Sequence, residues 1–140
     1  MRRTITIAAA VILDERNRML LVRKRGSAFF MQPGGKIEAG ETPVMALRRE
    51  LAEEVALAPA GEPVAEGVYS APAANEPEAT VIAHIFSARA ATQPQIGAEI
   101  ESIAWLDPTT PGDVLLAPLT RDHMLPLARR LATHDPGELR

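Results

Sequence analysis

Two hydrophobic periods alternate along the chain. Ile5 to Leu13 is an almost unbroken apolar run, β-branched at its start, with the length and composition of a strand buried on both faces. Asp14 to Arg18 is polar and Met19 to Lys24 apolar again, which predicts a hairpin with a five-residue connection. The pattern then breaks into a loop ending in Pro33-Gly34-Gly35. Beyond it the period changes. Val44, Leu47, Leu51 and Val55 recur at spacings of three and four, one helical stripe facing a sheet. Thr42-Pro43 supplies the entry, because Thr accepts a free first-turn N–H and Pro removes a donor that would be unpaired anyway. The helix is expected to run to about Leu57 and to be stopped by Pro59 and Gly61.

Strands are expected again at Val64 to Ser70, Thr80 to Ser87 and Ile100 to Leu106, separated by a loose Ala71 to Ala79 segment and a linker at residues 93–97. A second helix is expected between Asp122 and Ala132, with Pro126 near its first turn. Strands and helices mixed in this order predict an α/β protein. A length of 140 residues suits one domain, placed at residues 1–133, with His134 to Arg140 as a frayed tail.

Composition narrows the function. There is no Cys, which excludes a disulfide scaffold, a thiolate metal site and a cysteine nucleophile, and fits a cytoplasmic setting. A formal charge of -3 lacks the basic field that a nucleic acid polymer requires. No apolar run is long enough for a membrane span. His84, His123 and His134 show no ligand spacing.

The chemistry is concentrated on the first helix. Glu50, Glu53 and Glu54 fall within one sector about 100° wide at ~100° per residue. Their mutual repulsion calls for a cation, and clustered carboxylates suit a hard divalent ion such as Mg²⁺ or Mn²⁺, which in turn favours phosphate substrates. Arg49 precedes them and can orient a carboxylate. An E-x-x-E-E alone also describes a solvated helix face. Here Pro33-Gly34-Gly35 precedes it, a turn where main chain can approach an ion or phosphate.

Together these residues resemble the box of the Nudix hydrolases, G-x5-E-x7-R-E-U-x-E-E-x-G-U, where U is a bulky aliphatic residue. Gly35, Glu41, Arg49, Glu50, Leu51, Glu53, Glu54 and Leu57 fill eight of its nine fixed positions, and Ala56 stands where the family has Gly. That departure falls at a helix end, where Gly supplies a left-handed cap, so it bears on helix termination rather than chemistry. The opening hairpin, Pro-Gly-Gly-Lys-Ile-Glu and Thr-Pro are similar to the MutT-like branch.

The resemblance implies an α/β/α sandwich with a mixed sheet and hydrolysis of a nucleoside diphosphate derivative with Mg²⁺, or Mn²⁺ in its place. The reaction expected is (deoxy)nucleoside triphosphate to monophosphate and pyrophosphate; the alternatives are an ADP-ribose or nucleotide-sugar pyrophosphatase and a silent nucleotide sensor. Pro72, fifteen residues after Leu57, is the one feature pointing to the pyrophosphatases. The partner implied is a small nucleotide, and the protein a monomer or homodimer. Glu50, Glu54 and the Gly34 carbonyl would ligate metal, with Glu99 as a further ligand. Glu53 would ligate metal or act as base, with Glu50 the rival base. Glu41 would support Arg49 and the turn. Arg23, Gln32, Gly35 and Lys36 would contact substrate. Gln32 replaces an apolar aromatic residue of MutT, and its amide either reads a base edge or faces water. Phe29, Phe30 and Tyr69 are candidates for base stacking or for the core. The base-reading Asn of MutT is missing, with Thr120 near its place.

Overall fold

The computed structural model describes residues 3–133, so the tail expected at His134 to Arg140 lies outside it. The elements in chain order are strands β1 (Arg3–Leu13), β2 (Met19–Lys24) and β3 (Gly34–Lys36), helix α1 (Pro43–Val55), strands β4 (Pro59–Pro72), β5 (Ala79–Ala90) and β6 (Ile100–Leu106), and helix α2 (Leu125–Thr133). The strands form one mixed sheet in the order β4-β5-β1-β2-β6, with β3 also on β1. β1 and β5 are parallel over eleven register pairs, from Arg3↔Ala79 to Leu13↔Arg89; the other pairings are antiparallel.

Alternate residues of β1 belong to two separate cores. Ala8, Ala10 and Ile12 pack with Leu47, Leu51 and Val55 of α1, while Ala9, Val11 and Leu13 pack with Leu125, Leu127 and Ala128 of α2. This is why the run lacks a polar alternation: a strand covered by a helix layer on each side has no wet face. The result is the expected α/β/α sandwich.

The opening hairpin is splayed. Asp14 closes its turn by accepting the Arg16 and Arg18 N–H groups at 2.9 and 2.8 Å, yet β1 and β2 pair only at Leu13↔Met19. β2 pairs instead with β6 from Met19↔Leu106 to Lys24↔Ile100, and the other half of that β1 edge takes β3, Ile7↔Lys36 to Ala9↔Gly34. The Pro-Gly-Gly segment, expected as a loop, is therefore partly strand. Gly34 has φ +147°, and a Cβ there would run into the Ala8 carbonyl and Ala9, so only glycine permits this pairing.

Helix α1 ends at Val55, two residues short of the expected limit. Ala56 itself takes the left-handed conformation, φ 52° and ψ 42°, donating its N–H to the Ala52 carbonyl while Leu57 N–H reaches Leu51. Pro59, expected only to stop the helix, begins β4, which is longer than Val64 to Ser70. The proline is tolerated because β4 is an edge strand. At the C-terminal end, a π-helical turn over Thr120–Met124 leads into α2. It places Pro126, which has no N–H to donate, at the second residue of α2.

Candidate active site

Glu54 lies on the last turn of α1 and is 6% exposed. Its Oε1 accepts the Gly34 N–H at 3.0 Å, and its Oε2 stands 3.7 Å from Lys24 Nζ. Burial pushes its pKa up to about 7, against the pull of the Gly34 N–H and Lys24 and with the Glu50 charge adding to the rise. One turn earlier, Glu50 is also raised, by burial first, with Arg49 opposing and Glu53 reinforcing. A Cβ on Gly35 would occupy the space of the Glu50 carboxylate. The glycine pair thus brings β3 main chain directly against both acids.

Arg49 is held from several sides. Its Nε and Nη2 donate to the two Glu41 oxygens at 2.7 and 2.9 Å, and Nη2 also reaches the Lys36 carbonyl at 3.0 Å. The Glu41 carboxyl is lowered to about 2 by Arg49, with the Glu38 N–H adding to this. This clamp ties α1 to the end of β3. Arg49 Nη1 also lies 3.5 Å from Glu50 Oε1 and 3.4 Å from Glu53 Oε2. Glu53 is the open member of the group, its side chain 57% exposed.

Glu99 is the last residue of the linker before β6. Gly97 N–H donates to the Glu54 carbonyl and Gln95 N–H to that of Val55, both at 2.8 Å, which stitches the linker onto the end of α1. Glu99 has φ +68°, unusual for a residue with a side chain, and its carbonyl accepts the Arg25 N–H at 2.9 Å. Its carboxylate makes no hydrogen bond or ion pair among the described residues. Nor do three carboxylate or imidazole side chains among those residues already converge on one point.

A cleft of about 200 Å³ opens beside this group, where β1 and β2 splay apart; its walls include Lys24, Gln32, Gly34, Gly35, Lys36 and Asn75. Gln32 is buried, and its carbonyl oxygen accepts the Thr120 hydroxyl at 2.7 Å. It therefore does not face water freely, and its amide NH₂ makes no hydrogen bond among the described residues. Thr120 arrives there because Phe30 pairs with the segment before it: Phe30 N–H donates to Leu115 and Ala117 N–H to Phe30. Neither Lys24 nor Asn75 is marked by local sequence pattern: Lys24 is one of three successive cations, Arg23-Lys24-Arg25, and Asn75 is fixed by a contact that spans 48 residues, to Ser27 Oγ at 3.2 Å.

Arg23 is not among the cleft walls. On the sheet face opposite Lys24, its Nη1 donates to the Ser27 carbonyl at 3.0 Å and its guanidinium lies 5.9 Å from the Phe30 ring. Phe30 and Tyr69 pack against the α2-side core, and Tyr69 stacks on His123 with ring centroids 5.1 Å apart.

The NUDIX domain family profile matches residues 3–129, nearly the whole chain. The chain belongs to the Nudix family. Curated relatives align over parts of it. The 8-oxo-dGTP diphosphatase of Escherichia coli is 42% identical over 59 residues, 39% of this chain and 46% of that protein. The ADP-ribose pyrophosphatase of Methanocaldococcus jannaschii is 36% identical over 83 residues, 57% of this chain and 48% of that one. The chain thus spans less than half the length of either. Among solved structures, the MutT NUDIX hydrolase of Burkholderia pseudomallei superposes with a TM-score of 0.69 at 23% identity, covering 91% of this chain and 97% of that one. At that identity the likeness speaks for the fold. This Nudix chain has no helix among its described residues long and apolar enough to cross a membrane.

Proposed function

We propose that this Nudix protein hydrolyses nucleoside triphosphates to the monophosphate and pyrophosphate with a divalent metal, Mg²⁺ or Mn²⁺. The observation that carries the reading is the approach of Glu50 and Glu54 to the Gly34-Gly35 main chain, with Arg49 clamped beside them. The donor set fits a hard cation: two poorly solvated carboxylates leave room for waters and phosphate oxygens, the usual way Mg²⁺ is bound. Glu50 and Glu54 would hold it, with the Gly34 carbonyl, Glu53 and Glu99 as further oxygen donors. When bound, the metal neutralises charge developing on phosphate and lowers the pKa of a bound water.

The protein groups divide the remaining work. Arg49, fixed by Glu41, holds Glu50 and Glu53 in place. Glu53 is the first choice for general base because it is open to solvent and free of metal-side burial; Glu50 is the second. Gly35 and Lys36 face the phosphate chain from the end of β3. Gln32, its oxygen already accepting the Thr120 hydroxyl, has an amide NH₂ to donate and so suits a base edge that presents an acceptor. Arg23, its Nη1 donating to the Ser27 carbonyl, stays a candidate for contact with substrate beyond the cleft walls. A small nucleotide suits the cleft and the negative net charge better than a polymer.

The named activities of the two curated relatives both support cleavage of a nucleotide diphosphate bond, and the longer alignment to the ADP-ribose pyrophosphatase keeps that substrate as the second reading. A substrate panel with Mg²⁺, read separately for pyrophosphate and phosphate, tests the choice. Pyrophosphate from triphosphates supports the first reading; turnover of ADP-ribose alone supports the second; no turnover of either, with nucleotide still bound, would identify a sensor.

A further inference from the structure

Lys24 occupies a place that neither the box nor the base-reading residues account for. On β2 it shares parity with Leu20 and Val22, which pack into the α1-side core, so it leaves the sheet on the α1 face. The β2–β6 register shifts beside it, from Arg23↔Ser102 to Lys24↔Ile100, so the extra residue, Glu101, is on β6 and Lys24 keeps the alternation of its own strand. Its ammonium then lies 3.7 Å from Glu54 Oε2, a loose ion pair, with the side chain 38% exposed and lining the cleft. It also acts electrostatically on Glu50. Lys36, the other lysine of the cleft wall, makes no ion pair among the described residues.

We infer that Lys24 is an exchangeable counter-ion: it neutralises Glu54 when no divalent cation is bound and turns into the cleft to hold the substrate's phosphate chain when one is. The inference rests on the metal reading above. An ammonium and a dication cannot share one buried carboxylate without strong repulsion, and at ~4 Å that repulsion is not screened by salt. The four-carbon stem lets the ammonium leave, and the cleft that Lys24 lines is where phosphate oxygens would meet it. Metal and phosphate would then each favour the other's binding through one residue, a coupling that is reciprocal by necessity.

The test is Mn²⁺ binding, followed by the electron paramagnetic resonance of the free ion, and inorganic pyrophosphate binding at saturating Mn²⁺, which needs no choice of base. Lys24→Met should bind Mn²⁺ roughly fivefold more tightly without pyrophosphate, and pyrophosphate about tenfold more weakly, as expected for loss of one charge-assisted hydrogen bond. Lys36→Met should weaken pyrophosphate without tightening Mn²⁺, and Lys24→Arg should stay near the parent in both. Opposite signs in one variant are not what a merely structural lysine gives. Unchanged or weaker Mn²⁺ binding in Lys24→Met, beside normal binding by the parent, overturns the role of Lys24 alone. If the parent binds no Mn²⁺, or Glu54→Gln binds it as well as the parent, the metal reading fails and this inference with it.

Discussion

Replacing Glu54 by Gln isolates the energetic burden of the buried carboxylate. The amide is nearly isosteric and can still accept the Gly34 N–H, now 3.0 Å from Oε1; what it removes is the charge. In the metal-free protein the folded pKa of Glu54 is about 7, against an ordinary 4.5. A raised folded pKa means that the stabilising contribution is fully present below about 4.5 and is lost as pH rises through about 7. That interval corresponds to about 3 kcal/mol as an upper bound, and relaxation around the charge brings the expected effect to about 1 to 3 kcal/mol. In excess chelator, the variant should match or fall slightly below the parent at pH 4.5 and exceed it by that amount at pH 8. For a domain of this size each kcal/mol is worth roughly 3 °C in Tm. Urea melts or thermal scans of both proteins, taken across the range, measure the difference curve directly. Mg²⁺ should then raise the Tm of the parent at pH 8 and leave the variant almost unmoved. A difference curve that is flat, or that favours the parent more as pH rises, would refute the argument that Glu54 carries an unfavourably buried charge.

Three further outcomes are expected. Glu53→Gln should lower kcat by roughly 10² to 10⁴ if Glu53 is the general base, with far-ultraviolet dichroism unchanged; if only Glu50→Gln has this effect, the base assignment moves to Glu50. Ala56→Gly should stabilise the protein by about 0.5 to 1 kcal/mol in denaturant melts, because relief at φ 52° outweighs the entropy glycine gains in the unfolded chain; lower stability would mean that the cap is not strained. Thr120→Val should cost about 1 to 3 kcal/mol by leaving the buried Gln32 oxygen unpaired. It should also change the ranking of purine and pyrimidine triphosphates in kcat/KM, and a uniform change across bases would show that Gln32 does not read them.

What could be read from the sequence was what local spacing determines. The stripe Val44, Leu47, Leu51 and Val55 placed α1, and the same arithmetic put Glu50, Glu53 and Glu54 on one side of it. The strand β1 was legible because a run without polar alternation has one economical explanation. The places where reading stopped short share a cause. Gly34 and Gly35 carry no side-chain signal, so a strand made by them looks like a turn. Pro59 reads as a stop unless its strand is known to lie at a sheet edge. The Thr120 to Gln32 bond joins residues 88 positions apart, and Lys24 gains meaning only from its approach to Glu54, a residue of another element. Arg23 and Lys24 are neighbours in sequence yet leave opposite faces of the sheet, which a charge run cannot reveal.

The splayed hairpin has a consequence for how such a protein can diversify. Because β1 and β2 touch only at Leu13↔Met19, the wedge between them is filled by segments that owe their positions to different layers: β3 is locked to the acids of α1, whereas Gln32 is tied through Thr120 to the turn that begins α2. The wedge works like a socket with two independently mounted jaws. Substitutions on the α2 jaw can re-cut the shape of the wedge while β3 stays locked to the acids of α1, so, on the proposed reading, inheritance has a route to new substrates by small steps that leave those acids in place.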